Sequence, residues 1–149
     1  MELVADPWSD PLIAERILRS FHIWAVVGCS SDPSRASHGV SRYLLRQGYE
    51  VVPINPNEEA VHGLPAYPDL RAVPPDAAIE VVDIFRRPDA VLPHVEEAIE
   101  IGAKAIWMQL GVWNQDAAEL AAHAGLLVVM NRCPAIDHPQ MVAPGESRP

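Results

Sequence analysis

The chain has 149 residues, an apolar fraction of 49% and a formal net charge of −9 at neutral pH. This length suits one domain with its own hydrophobic core. The negative charge argues against general nucleic-acid binding, which needs a basic surface. No apolar run approaches the roughly 20 residues of a membrane-spanning helix. The segment Met1–Pro7 lacks the basic and apolar regions of a signal peptide, so we expect a cytoplasmic protein.

The first half of the chain predicts two helices that alternate with two buried strands. A capping acid followed by proline, Asp10-Pro11, predicts the start of the first helix. The apolar run Ile23–Val27 follows it as the first strand. Ser37 is a capping residue for the second helix. The run Glu50–Ile54 then predicts the second strand.

The second half begins irregularly and then alternates again. Residues 57–75 are rich in proline, with a short helix expected at 68–72. Pro88 opens a helix in which Pro93 should cause a kink or displace the start, and Asn114 caps an alanine-rich helix. The three remaining strands are predicted at Ala78–Phe85, Ala105–Gln109 and Leu126–Met130.

These strands are apolar along their whole length, which is typical of parallel sheets covered on both faces. We therefore predict a Rossmann-like three-layer α/β fold with a five-stranded parallel sheet in the order 3-2-1-4-5. A single domain is expected over residues 1–149, with its core at about residues 10–133. Residues 134–149 are proline-rich and polar, and are expected to form a surface tail.

In such sheets, ligands bind beyond the carboxyl ends of the strands. The loops that follow the first four strands meet at this edge and carry backbone amides, hydroxyl groups, arginines and a helix N-terminus. These groups suit a diphosphate. The candidate binding residues are Gly28, Cys29, Ser30, Ser31, Arg35, Ser37, Asn55, Pro56, Ile84, Phe85, Arg86, Arg87, Gln109 and Gly111.

The sequence disfavours NAD as that ligand. Gly28 is the only one present of the three glycines in the dinucleotide fingerprint. The second strand ends without the acidic residue that would hold a ribose hydroxyl, since Glu58 and Glu59 lie beyond its turn. A different nucleotide is therefore expected.

Six segments, taken together, resemble the CoA-binding domain family in its small stand-alone form. The same unit occurs in the alpha subunit of succinyl-CoA synthetase and in ADP-forming acyl-CoA synthetases. A common family form has aspartate where this chain has Asn131. The matching segments are Ala25–Gly28, Ser31–Ser37, Gly48–Pro56, Val82–Pro88, Gly102–Gly111 and Asn131–Cys133.

The resemblance implies that coenzyme A, or an acyl-CoA, lies across the carboxyl edge of the sheet. It places Gly28–Ser31 at the diphosphate, with Arg35 as a counter-charge. The remaining implied contacts are Asn55 and Pro56 beside the adenosine, Ile84–Arg87 against the base and phosphates, and Gln109 and Gly111 along the pantetheine arm.

We expect binding without catalysis. No pattern of nucleophile, base and orienting residue can be assembled, and His138 falls in the predicted tail. Two alternatives stay open: a nucleotide-binding subunit of a partner-dependent acyl-CoA synthetase, and a fragment of a nucleotide-dependent oxidoreductase. The sequence also leaves open whether the chain forms a homo-oligomer.

The two cysteines, Cys29 and Cys133, fit a reducing compartment without disulfides. Cys29 follows the first strand near a helix N-terminus, where a thiol pKa can fall. A mixed disulfide with CoA is therefore an alternative to the favoured interpretation of two inert core residues. Pairs such as His22 with His38 match no zinc signature, so no metal site is expected.

Overall fold

The structure is a computed structural model that describes residues 6–142. Its centre is a parallel five-stranded sheet, as predicted from the strands that are apolar along their whole length. A small antiparallel hairpin lies beside it, formed by β3 (Ala60–Val61) and β4 (Leu64–Pro65). The strands of the main sheet are β1 (Ile23–Val27), β2 (Glu50–Ile54), β5 (Val81–Ile84), β6 (Ala105–Met108) and β7 (Leu127–Val129).

Helices cover both faces of the sheet, which confirms the predicted Rossmann-like α/β fold. One face packs against α1 (Pro11–Ser20), α2 (Ala36–Arg46) and α5 (Pro134–Met141). The other packs against α3 (Leu92–Glu100) and α4 (Gln115–His123). Single 3₁₀ turns occur at residues 70–72, 75–77 and 88–90. Among the helices of residues 6–142, none has the length and apolar character needed to cross a membrane.

The central strand β1 contributes to both cores because successive side chains in a strand point to opposite faces. Trp24 and Val26 pack on the α1–α2 side, whereas Ala25 and Val27 pack on the α3–α4 side. The ring centroid of Trp24 lies 5.5 Å from that of Trp107. Both indoles are fully buried, and each donates its N–H to a backbone carbonyl. The two tryptophans therefore fill the core without leaving a buried donor unpaired.

Most helix starts agree with the sequence. Asp10 accepts a hydrogen bond from the Leu12 N–H at 2.9 Å, and Asn114 caps α4. Pro93 displaces the start of α3, because residues 88–90 form a separate 3₁₀ turn before it. The prediction that Ser37 caps α2 is wrong. The helix begins at Ala36, and the Ser37 hydroxyl instead accepts a hydrogen bond from the Ser30 N–H.

The strand order is β2-β1-β5-β6-β7. Tyr67 forms a parallel bridge to Ile54 on the outer side of β2. With this extended segment counted as one more strand at that edge, the order matches the 3-2-1-4-5 type. The segment predicted as the third strand, Ala78–Phe85, lies beside β1 and not beside β2. Residues 55–80 pass along the outer side of β2 and return the chain to the opposite side of β1.

The expectation of a surface tail from Pro134 onward is wrong for residues 134–142. These residues form α5, which packs against α1 and α2. Asp137 is buried and accepts hydrogen bonds from Arg132 at 2.7 and 3.0 Å. His138 is buried beside Tyr43, whose hydroxyl lies 2.8 Å from its Nδ1. Residues 143–149 lie outside the described residues.

Candidate functional site

A cleft of about 730 Å³ opens at the carboxyl ends of β1, β2, β5 and β6. This is the edge at which the sequence places a ligand. The loops after these strands and the first turn of α2 form its walls. The lining residues are Gly28, Ser30, Arg35, Ala36, Ser37, Asn55, Asn57, Glu58, Phe85, Arg86, Arg87, Gln109, Leu110 and Val112.

Gly28 is the point at which three of these loops meet. It has φ +84°, and its N–H donates to the Ile54 carbonyl at 2.8 Å. A Cβ at this position would lie 2.4 Å from the Phe85 carbonyl oxygen. Glycine is therefore required here both for the left-handed backbone and for the close approach of the β5 loop.

The N-terminus of α2 faces the cleft without a side-chain cap. Arg35 occupies the cap position and makes no capping hydrogen bond, and Ala36 and Ser37 also line the cleft. The first amides of a helix and its dipole both favour an anion. This end of the cleft is therefore suited to a phosphate group.

Asn55 fastens the loop after β2 to the loop after β1. Its side-chain amide donates to the Cys29 carbonyl at 3.0 Å, and its Oδ1 accepts from the Asn57 N–H at 2.9 Å. Its own N–H donates to the Tyr67 carbonyl. Asn55 therefore shapes the cleft wall through its hydrogen bonds, in addition to lining it.

Three arginines supply positive charge to the cleft: Arg35, Arg86 and Arg87. All three are exposed. Arg87 lies 3.3 Å from Asp89 in an exposed ion pair, and such pairs hold a side chain only weakly. These guanidinium groups are therefore available to an anion even though the whole chain is acidic.

The loop after β6 forms the opposite wall. Gln109 is only 5% exposed, and its Oε1 is buried without a hydrogen-bond partner in the described structure. Asn131, which has φ +59°, accepts from the Gly111 N–H at 2.8 Å and so anchors this loop. The asparagine amide oxygen thus provides an acceptor at the position where the common family form has aspartate. Leu110 and Val112 make this wall largely apolar.

Five sequence candidates do not line the cleft. Cys29 and Ile84 are buried in the core beneath it. The other three, Ser31, Pro56 and Gly111, are exposed beside it. Burial raises the pKa of the Cys29 thiol to about 11, and its Sγ lies 3.6 Å from the Ser41 hydroxyl. This is the opposite of the activated thiol that the helix N-terminus suggested, and it agrees with an inert core residue.

A model of the CoA binding domain matches residues 22–139. The chain belongs to the CoA-binding domain family. It is 36% identical to the Bacillus subtilis protein YneT over 126 residues, which cover 85% of this chain and 91% of YneT. The structure of a hypothetical protein from Pyrococcus horikoshii superposes with a TM-score of 0.88 at 37% identity, covering 96% of this chain and 100% of that one.

A shorter similarity relates this CoA-binding domain to a much larger protein. The alpha subunit of the ADP-forming acetate–CoA ligase II of Pyrococcus furiosus is 34% identical over 64 residues. That match covers 42% of this chain and 14% of the ligase subunit. The chain is thus a CoA-binding domain related to that subunit, and it corresponds to only a small part of it.

Sequence reasoning missed five lining residues of this CoA-binding domain. Ala36, Leu110 and Val112 lie next to candidate residues. The sequence therefore identified the correct loops but not these three residues within them. Asn57 and Glu58 lie beyond the end of β2 in the irregular segment. Glu58 contacts Ser31, 27 residues earlier. No local pattern in the sequence indicates such a contact.

Proposed function

We propose that this CoA-binding domain binds coenzyme A, or an acyl-CoA, in the cleft at the carboxyl edge of its sheet, without catalysing a reaction itself. The observation that carries the proposal is the cleft's pairing of an uncapped helix N-terminus with three exposed arginines. Family membership supports the choice of ligand.

The diphosphate is the part of CoA that the charged end of the cleft suits best. The first residues of α2 and Arg35 line the cleft after β1, and Arg86 and Arg87 line it after β5. Guanidinium groups bind phosphate oxygens through charge-assisted hydrogen bonds. In this proposal the diphosphate is held between the α2 N-terminus and the β5 loop.

The pantetheine arm suits the opposite wall. Its two amide N–H groups are donors, and the buried Oε1 of Gln109 is an acceptor without a partner in the described structure. A buried acceptor without a hydrogen bond costs free energy, and a ligand N–H removes that cost. Leu110 and Val112 would contact the methylene groups of the arm.

The proposal includes no catalytic residue because the lining residues offer no obvious nucleophile with a base. They include no histidine and no cysteine among residues 6–142. The serines of the lining are Ser30 and Ser37, and Ser37 is buried with its hydroxyl bonded to the Ser30 N–H. Activation of a serine requires a base within hydrogen-bond reach. The Ser31 hydroxyl does lie against Glu58, but Ser31 is outside the lining, and its hydrogen bonds lower the pKa of Glu58 and so weaken that carboxylate as a base.

Isothermal titration of the purified protein with CoA tests the proposal, with NAD, NADP and ADP titrated in parallel. We expect saturable binding of CoA near one equivalent per chain. Arg35→Ala should weaken it by about tenfold, since a phosphate–arginine contact of about 1.4 kcal/mol is lost. Arg46→Ala is the matched control, because Arg46 is exposed at the far end of the same helix.

Absence of CoA binding, with a clear signal from another nucleotide, would reject coenzyme A as the ligand. Equal effects of Arg35→Ala and Arg46→Ala would show that Arg35 does not contact the diphosphate. Unfolding curves of both variants should match that of the wild type, so that a change in affinity is not a change in folding.

A role as a subunit is the second candidate, and the similarity to the ligase alpha subunit favours it. In that case the chain would present CoA to a partner that binds ATP. Co-purification from native lysate would then yield a stoichiometric partner, and acyl-CoA would form from ATP, CoA and a short carboxylic acid only with the partner present. Acyl-CoA formation by the purified chain alone would contradict binding without catalysis.

A further inference from the structure

A carboxylate already occupies two donors beside the cleft. Glu58 accepts a hydrogen bond from the Ser31 N–H at 2.7 Å. The Ser31 hydroxyl lies 2.9 and 2.8 Å from the two carboxylate oxygens. Glu58 itself lines the cleft. The side chain after β2 thus reaches back to the turn after β1.

The neighbouring amides of this turn are bonded within the turn or to α2. The Ser30 N–H donates to the Ser37 hydroxyl, and the Asp32 N–H donates to the Ser30 hydroxyl, both at 3.0 Å. The Ser31 N–H is different because its acceptor comes from another loop. A backbone N–H with an adjacent hydroxyl is a typical donor pair for a phosphate.

The carboxylate is charged at neutral pH, and it is easily displaced. The hydrogen bonds from the Ser31 N–H and hydroxyl hold the pKa of Glu58 below its usual range. Ser31 is exposed, so water can replace the carboxylate at its donors at little cost. Glu58 is therefore an anion that occupies these donors without being locked in place.

We propose that Glu58 determines which anions enter the cleft, an inference that rests on the proposed function. Glu58 occupies the Ser31 donors and so excludes free phosphate, whereas a nucleotide diphosphate is admitted. A tethered carboxylate competes at an effective concentration in the millimolar range. Free phosphate can reach the same arginines and the α2 N-terminus, but it has no base, ribose or pantetheine arm that would help it displace the carboxylate. A nucleotide is also held by its base, its ribose and the arginines, and can displace the carboxylate.

The test compares inorganic phosphate with CoA on variants of two adjacent glutamates. Glu58→Ala removes both the charge and the acceptor, and Glu58→Gln removes the charge while keeping an acceptor. Glu59→Ala and Glu59→Gln are matched controls, because Glu59 is exposed, lies outside the cleft lining and carries the same charge. Isothermal titration measures phosphate binding directly, and competition measures how phosphate weakens CoA binding.

We expect Glu58→Ala to bind inorganic phosphate about tenfold more tightly than the wild type, with Glu58→Gln in between. Millimolar phosphate should then compete with CoA in Glu58→Ala and not in the wild type. Both Glu59 variants should behave as the wild type does. Unchanged or weaker phosphate binding in Glu58→Ala would overturn the proposal, as would an equal gain in Glu59→Ala.

The phosphate titration does not depend on CoA. If the wild type fails to bind CoA but Glu58→Ala gains phosphate affinity, the proposed ligand is wrong and the exclusion of phosphate stands. If the wild type binds CoA and Glu58→Ala gains nothing, the ligand stands and the role of Glu58 is rejected. Thermal unfolding of each variant confirms that the chain is folded.

Discussion

At the scale of single residues, Gly28 is more constrained than any motif suggests. The sequence marks it as a turn glycine that could approach a phosphate. The structure adds a second constraint, because the Phe85 carbonyl oxygen lies 2.4 Å from the position that a Cβ would take. The position therefore couples the loop after β1 to the loop after β5, and both loops line the cleft.

Gly28→Ala should destabilise the protein by about 2–4 kcal/mol. A left-handed conformation costs alanine about 1–2 kcal/mol. The collision with the Phe85 carbonyl adds about as much again, as overpacking commonly does. The free energy of unfolding in urea measures the total.

Gly63→Ala separates the two contributions. Gly63 also has a positive φ, of +75°, but nothing lies within 4 Å of the position of its absent Cβ. This variant should therefore lose only the conformational part. An equal loss of unfolding free energy in Gly28→Ala and Gly63→Ala would mean that the Phe85 loop moves aside without an energetic cost.

At the scale of elements, α5 shows that a segment with a polar, proline-rich sequence can still belong to the fold. Pro134 opens the helix at a position where proline is tolerated, and Pro139 lies within it. Its stability comes from packing against α1 and α2, and from the paired hydrogen bonds that Asp137 accepts from Arg132 just before the helix. The Arg132 guanidinium also donates to the Ser9 carbonyl, so α5 is tied to the N-terminal segment.

Asp137→Ala should lower the free energy of unfolding by about 2–3 kcal/mol, because it leaves a partly buried arginine without its carboxylate. Ile136→Ala is the control on the same helix, since Ile136 is 50% exposed. It should cost much less. Equal small losses in urea unfolding of both variants would indicate that α5 contributes little to stability, as a surface tail would.

At the scale of the whole molecule, the sequence predicts what local patterns determine. Apolar runs identify the five strands of the main sheet, and Asp10 and Asn114 mark helix starts through contacts within three residues. The position of each strand in the fold depends on contacts between residues far apart in the sequence. Two-residue strands such as β3 are too short to show a pattern, and the position of β5 depends on the path of residues 55–80.

The same division applies to the cleft. Nine of the candidate residues line the cleft, which lies at the carboxyl edge where parallel sheets bind their ligands. The contact between Glu58 and Ser31 spans 27 residues and follows from no local pattern. The burial of Cys29 agrees with the favoured interpretation of an inert core residue, but its contact with Ser41 spans 12 residues and also follows from no local pattern.

A buried acid in the centre of the sheet should make the stability of the whole molecule depend on pH. Asp83 lies on β5 between Val26 and Trp107 and is fully buried. Neither of its carboxyl oxygens has a hydrogen-bond partner in the described structure. Burial raises the pKa of Asp83 well above its usual value, because the charged form loses its hydration.

Asp83→Asn should remove this pH dependence. The unfolded chain releases the Asp83 proton near pH 3.9, whereas the folded chain keeps it to a much higher pH. Between these values the folded state binds more protons, so the wild type loses up to about 1.4 kcal/mol of stability per pH unit as the pH rises. Asparagine does not ionise in either state.

Urea unfolding at about pH 4.5 and about pH 7.5 measures this difference. The free energy of unfolding of Asp83→Asn should rise relative to that of the wild type at the higher pH. Asp116→Asn, on the exposed side of α4, controls for the loss of a surface carboxyl. A constant difference between Asp83→Asn and the wild type would mean that water reaches Asp83 and its carboxylate is charged in the folded protein.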